Sequence, residues 1–178
     1  PGAELVLTPK DYDLAIYYQG GQGYLPLTMA SDFFFATFMP VLAFNGEAVF
    51  LFANSLGELS DTYYSVPTKE VSAELSAFSY HELCFALDHL YGLKKQHGIS
   101  DFDTVFSKNG FKTDFLGTDP KKQDIAYEKL VYSVFSDFHS NFGSNSPFAG
   151  NKSTPSGKAG VLAYGSTYYL AKMAAFSE

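Results

Sequence analysis

The sequence has no tryptophan, one cysteine and no long apolar run, and each absence excludes a class of protein or site. Because Cys84 is alone, the chain can form neither an internal disulfide nor a cysteine-based metal site. No run approaches the roughly 20 apolar residues that cross a bilayer, so we predict no membrane span. The absence of tryptophan argues against a dedicated sugar-stacking module, although tyrosine rings can take that role.

Basic residues are also few. The chain has 12 Lys and Arg residues against 19 Asp and Glu residues, which gives a net charge of −7 without a basic cluster. A protein that binds a phosphate backbone needs a positive surface, so we predict no nucleic-acid partner. Aromatic residues are instead plentiful, with 18 Phe and 13 Tyr, and they supply much of the apolar area available to a core.

The order of the local patterns predicts an α+β fold, in which a small N-terminal strand and hairpin unit precedes an antiparallel helical bundle. The N-terminal unit is expected over residues 1–66, with a hairpin over 41–52. Two apolar runs there flank Asn45-Gly46, which is the signature of a type I′ turn. A short helix is expected over 28–38, and it should stop before Pro40. We predict the bundle over 67–142, then a loop or linker and a terminal helix over 143–178.

Helix boundaries follow from capping signals. Ser79 and Glu82 form a capping box that predicts the start of a long helix, and Gly98 predicts its end. Thr118 is expected to cap a later helix with Pro120 in its first turn. The remaining cysteine, within the first of these helices, is expected to be a small buried apolar residue.

Most catalytic signatures are missing. The sequence contains no Gly-x-Ser-x-Gly elbow, no phosphate-binding loop and no His-Glu-x-x-His motif. His81 and His89 share a helical stripe, but Phe85 stands between them where a chelating site would need a ligand. A solvated helix face is the favoured interpretation, and we predict no metal and no cofactor.

One histidine, His139, lies in a different sequence context. In "FSDFHSNF", residues 135–142, His139 follows Asp137 by two positions and precedes Ser140, where a helical pattern gives way to a glycine- and serine-rich run. Helix ends and loops often present catalytic groups. From the residues alone, two interpretations stay open: a catalytic base, or helix-end hydrogen bonding, which is favoured because Asp-x-His-Ser is common by chance.

The run "ELCFALDHLYGLKKQHGISDFDTVFSKNGFKTDFLGTDPKKQDIAYEKLVYSVFSDFHSNF" (82–142) resembles the helical region that precedes the protease core in some bacterial S41 peptidases. This is the C-terminal-processing or tail-specific protease family, with the tricorn-like branch. Residues 136–140 look like the counterpart of its Leu-Gly-Asp-Gly-His-Thr-like segment. The resemblance implies that His139 is a candidate general base for a serine in a downstream core, with Asp137 and Ser140 as orienting groups.

A weaker resemblance concerns "GQGYLPLTMASDFFFATFMPVLAFNGEAVFLF", which is similar to the copper amine oxidase N-terminal-like domain of secreted Gram-positive proteins. It implies an extracellular or cell-envelope location and no copper site. The function expected from both resemblances is the non-core N-terminal portion of a secreted S41-like serine peptidase, a fragment that is catalytically silent alone. Its partners would be the downstream core domain and a peptide or protein substrate. The alternative is a secreted or cell-surface binding module without enzymatic activity.

Overall fold

The computed structural model describes residues 4, 6–35, 40–53, 56–65, 71–136, 140 and 146–149, and their mixture of helices and strands confirms an α+β fold. The strands of these residues pair as two antiparallel hairpins. The first joins β1 (Tyr17–Gln19) to β2 (Gln22–Tyr24), and the second joins β3 (Pro40–Phe44) to β4 (Val49–Ala53).

Helices make up most of the remainder. They are α1 (Leu27–Ala30), α2 (Ser60–Tyr63), α3 (Ala73–Leu90), α4 (Phe102–Lys108), α5 (Phe111–Phe115) and α6 (Pro120–Lys129). α1 continues into π-helical turns over Ser31–Phe35, and α6 continues into others over Leu130–Phe135. Short 3-10 turns occupy Pro9–Tyr12, Gly57–Leu59 and Pro147–Ala149. No helix within the described ranges has both the length and the apolar character that crossing a membrane requires.

The hairpin expected over 41–52 is present, but its turn is not of type I′. Phe44 pairs with Val49, so Gly46 and Glu47 are the two central residues of the turn. Gly46 has a φ of 99°, whereas Glu47 is not among the described residues with positive φ. A positive φ at the first central position alone is the type II′ arrangement. Asn45 lies one position earlier, where its Oδ1 accepts from the amides of Glu47 and Ala48 at 3.0 and 2.9 Å.

The long helix begins seven residues before the predicted capping box. α3 starts at Ala73, and the hydroxyl of Ser72 caps it by accepting from the Leu75 amide at 3.1 Å. The predicted cap formed by Ser79 and Glu82 is therefore wrong, since both residues lie inside the helix. The Glu82 side chain is buried, so packing against the core determines its position.

Two other boundaries also differ from the predictions. α3 ends at Leu90 rather than at the predicted Gly98. A series of turns follows, and Gly98 lies in these turns with a φ of 63°. Asp119, rather than Thr118, caps α6 by accepting from the Lys121 amide at 3.0 Å, and Pro120 occupies the first turn as expected.

The core has two adjoining clusters. The larger lies among α3, α4, α5, α6 and the π-helical turns that follow α6. Its buried residues are Tyr80, Cys84, Phe102, Phe106, Phe111, Phe115, Ala126, Leu130, Val131, Tyr132 and Phe135. The smaller contains Leu14, Met29 and Phe85, and so packs the N-terminal segment against α3. Cys84 is a buried free cysteine, as predicted, and burial is the main cause that raises the pKa of its thiol to about 12.

Candidate functional site

The predicted catalytic segment is only partly within the described residues. Asp137 and His139 lie outside them, so the role of His139 as a general base stays a prediction. Ser140 is described and half-buried.

The start of this segment is firmly anchored. Phe135 is buried and stacks on the ring of Tyr91 with 4.2 Å between the ring centroids. Ser136 then takes a left-handed conformation with a φ of 45°, and its amide donates to the Val131 carbonyl at 3.0 Å. The helix therefore ends at a fixed point, immediately before Asp137.

Among the described residues, the histidine stripe on α3 belongs to no cluster that could hold a metal ion. The described residues contain no group of three His, Cys, Asp or Glu side chains that could hold a metal ion. Asp88, between the two stripe histidines, has protein partners instead. It accepts from the Tyr12 hydroxyl at 3.0 Å and the Phe102 amide at 3.1 Å, and it pairs with Lys94 at 2.7 Å. It is a structural connector between three parts of the chain.

An apolar groove of about 450 Å³ opens where the second hairpin, α1 and α3 meet. We call this feature the groove. Its walls are mainly aliphatic and aromatic side chains, with two hydroxyls: Leu27, Thr28, Leu42, Ala43, Phe44, Leu75, Phe78, Ser79 and Phe148. A concave, mostly apolar surface with a few polar groups is the usual form of a ligand-binding site.

β3 lines the groove, and its partner β4 presents an open strand edge on the side away from β3. The Leu42 amide points away from β4, because it donates to the Ser31 hydroxyl at 3.2 Å. Leu42 pairs with Leu51, so this pair is not hydrogen-bonded across the ladder, and the amide and carbonyl of Leu51 also point outward. The backbone amide and carbonyl of Val49, two residues earlier, point outward in the same way. Within the described ranges, no hydrogen bond from another segment reaches these outward groups.

The same residues carry an exposed apolar face. Leu42, Leu51, Phe44 and Val49 lie on one side of the hairpin, because directly paired residues share a face and side chains alternate along each strand. Val49 is 56% exposed, Leu51 58% and Phe44 45%. The opposite side of β4 is used internally, since Phe50 is buried and packs edge-on against Tyr63 with ring centroids 5.2 Å apart.

A pair of acids connects the wall of the groove to α3. Asp32, on the π-helical turns after α1, interacts with Glu82 in the middle of α3, and each carboxyl affects the pKa of the other. Glu82 is only 7% exposed, and its Oε1 is buried without a hydrogen-bond partner in the described part of the chain. Burial, together with the charge and hydrogen bond of Asp32, raises the pKa of Glu82 from 4.5 to about 8. Burial also raises the pKa of Asp32, but the interaction with Glu82 lowers it, whereas the same interaction raises the pKa of Glu82, so we assign the proton of this pair to Glu82.

The sequence patterns predicted neither the open edge of β4 nor the burial of Glu82. Val49, Phe50 and Leu51 are consecutive strand residues, so their side chains alternate between the two faces. All three are apolar, and the sequence therefore could not show which face is exposed to solvent. Glu82 matched a capping box, and that match hid its burial.

No model of a known protein family, no curated protein and no solved structure matches this chain.

Proposed function

We propose that this chain is a docking module for extended peptide segments and has no catalytic activity of its own. The setting we propose for it is the non-core N-terminal portion of a secreted S41-like serine peptidase, which acts on peptide or protein substrates. The single observation that carries the docking role is the open edge of β4 with its exposed apolar face.

The edge suits an extended peptide because it offers both main-chain and side-chain recognition. The outward amide and carbonyl groups of Val49 and Leu51 can pair with an added strand, which gives affinity without sequence preference. Alternate side chains of that strand would extend the exposed apolar face that Val49 and Leu51 carry. Natural proteins usually protect long apolar edges, so an exposed one indicates a use.

The charge of the chain narrows the class of ligand further. The chain has a net charge of −7, and Glu47 at the tip of the second hairpin is exposed. Charge complementarity favours a segment whose apolar residues alternate with polar ones and whose ends are basic. The ligand class we propose is therefore an extended, apolar peptide segment with basic flanks.

The peptidase setting rests on the resemblance of residues 82–142 and on the anchored helix end before Asp137. Phe135 and Ser136 fix the end of the helix that precedes His139 in the sequence. A general base must lie within hydrogen-bond reach of its nucleophile, and a rigid starting point favours such positioning. In this setting a downstream core domain would supply the serine, and the groove would hold substrate or a segment of that core.

The test uses a fluorescent nine-residue peptide of alternating valine or leucine and threonine, with lysine at both ends. We expect saturable binding to the chain, measured by fluorescence anisotropy. Leu51→Lys should weaken it by about tenfold or more, because one apolar contact is lost and an edge lysine opposes strand pairing. A peptide with proline at its centre should also bind at least tenfold more weakly, since it lacks a main-chain donor.

The matched control is Tyr18→Lys, a substitution to the same residue at a 79%-exposed position on the other hairpin. It should leave the affinity unchanged. Equal affinity of Leu51→Lys and the parent chain would overturn the docking proposal. The proposal would also be overturned if light scattering showed that the chain is a dimer and that Leu51→Lys dissociates it. A second copy of the chain would then occupy the edge of β4.

A further inference from the structure

We propose that the first hairpin binds a neutral oligosaccharide whose sugars are β-1,4-linked. The sugar rings would stack on Tyr17 and Tyr24, and their hydroxyls would bond to the amides of Gln19 and Gln22. This inference goes beyond the proposed function and does not depend on it, since the peptide ligand is assigned to β4 in the second hairpin.

The register of the first hairpin places these four side chains on one face. Tyr17 pairs with Tyr24 and Gln19 pairs with Gln22, and residues two apart in a strand point to the same side. Cross-strand partners have Cβ atoms about 5 Å apart, so the two tyrosines are neighbours, and so are the two glutamines. We call this surface the tyrosine face. Tyr18 lies between Tyr17 and Gln19 in β1 and therefore points to the opposite side.

The turn of the hairpin fixes this register. It consists of Gly20 and Gly21, which have φ values of 60° and 81°. Positive φ at both central positions is the type I′ arrangement, whose twist matches that of the flanking strands. The tyrosine face is therefore presented in a defined register before any ligand arrives, which lowers the entropy that binding costs.

The tyrosine face is open to solvent and offers both apolar and polar groups. Tyr17 is 68% exposed and Tyr24 50%, and Gln19 and Gln22 are exposed as well. Tyrosine supplies a large, amphipathic contact surface at a low cost in conformational entropy. The Tyr24 hydroxyl donates to Oε1 of Gln22 at 3.4 Å. Because this bond uses the amide oxygen, the Nε2 group of Gln22 can donate to a ligand.

A sugar matches both kinds of group. The C–H groups of a β-linked pyranose lie on the two faces of the ring, whereas its hydroxyls project around the rim. The C–H face packs on an aromatic ring, and the rim hydroxyls both donate and accept, as a glutamine amide does. A β-1,4-linked chain is extended, so successive sugars can lie on neighbouring tyrosines.

The charge around the hairpin favours a neutral ligand. Residues 14–31 contain no charged side chain, although 17% of the chain is charged and its net charge is −7. An anionic glycan or a nucleic acid would be repelled by the chain and would meet no cation on this hairpin. A peptide would find little main-chain pairing, because each strand is only three residues long. A neutral, hydroxyl-rich ligand is the class that fits these groups.

The test is an NMR titration of the isotope-labelled chain with two probes, the β-1,4-linked hexamers of glucose and of N-acetylglucosamine, each up to about 10 mM. We expect at least one of them to cause saturable shifts of the amides of residues 17–24. Tyr17→Ala and Tyr24→Ala should each weaken that binding by about fivefold or more, because a stacked ring is lost. The β-1,4-linked hexamer of mannuronic acid, which has a carboxylate on every ring, should bind at least about tenfold more weakly.

Tyr18→Ala is the matched control, because it removes the same ring from the opposite side of the same strand. It should leave the affinity unchanged. Leu51→Lys, which alters the peptide-docking edge of β4, should also leave it unchanged. A chain that binds a hexamer but no peptide would therefore support the oligosaccharide site and refute the docking role alone.

The absence of shifts over residues 17–24 in the parent chain with both neutral hexamers would overturn the proposal. Equal losses of affinity from Tyr18→Ala and Tyr17→Ala would overturn it as well, since the tyrosine face would then have no special part in binding. A third contradicting result is a dimer, detected by light scattering, that Tyr17→Ala dissociates. A second copy of the chain would then cover the tyrosine face.

Discussion

At the scale of single residues, chemical type predicted environment well where one force dominates. Cys84 is buried, as expected of a lone cysteine in a helical pattern. The environments of Asp88 and Glu82 were harder to predict, because the positions of their partners depend on the tertiary fold. Tyr12 reaches Asp88 from 76 residues away, and Asp32 reaches Glu82 across 50 residues of chain. A local motif can describe neither contact.

The prediction that belongs to this scale concerns His139. In the full-length parent protein, His139→Ala should lower the cleavage of a fluorogenic peptide by about 100-fold or more, because a positioned general base contributes that much. The melting temperature should change little. The isolated chain, with or without the substitution, should cleave nothing.

His97→Ala is the matched control, since His97 is an exposed histidine in the turns after α3. It should leave cleavage by the parent protein intact. Full activity of the His139→Ala parent protein would assign His139 to structure and remove the main support for the peptidase setting.

At the scale of elements, the sequence predicted which helices and hairpins exist better than where they begin. The hairpin over 41–52 and the helix with Pro120 in its first turn are both present. The boundaries moved because several polar residues near each end can serve as caps. Ser72, Ser79, Asp119 and Thr118 are all suitable cap types, and the packing of the following helix selects among them.

The cap of α3 gives a direct test of this explanation. Ser72→Ala should lower the free energy of unfolding by about 1 kcal/mol, because the Leu75 amide loses its acceptor. Ser79→Ala, the same substitution at the predicted cap, should change it by less than about 0.5 kcal/mol. Urea denaturation followed by circular dichroism measures both. A larger loss from Ser79→Ala than from Ser72→Ala would mean that the helix begins where the sequence suggested.

At the scale of the whole molecule, the order of the local patterns predicted the α+β class and the composition predicted the aromatic core. Neither predicted the surfaces that matter for function. Phe85 shows why. It joins the smaller core cluster to α3, and its ring packs on Tyr12 and Phe33, two residues distant from it in the sequence. Phe78, which lines the groove, packs against the same cluster, so the groove lies next to this junction of separate segments. Its existence depends on how they pack, and no periodicity within one segment encodes it.

The docking role joins these scales, because it needs the outward groups of Val49 and Leu51, the edge of β4 and the groove formed by three elements. NMR hydrogen exchange of the isolated chain, with and without the lysine-flanked peptide, tests it most directly. With peptide at about ten times its Kd, the amides of Val49 and Leu51 should exchange about tenfold more slowly. The Phe50 amide faces β3 within the ladder and is the internal control, so its exchange should not change. Binding that leaves the exchange of Val49 and Leu51 unaltered would contradict the proposal that this edge receives the ligand.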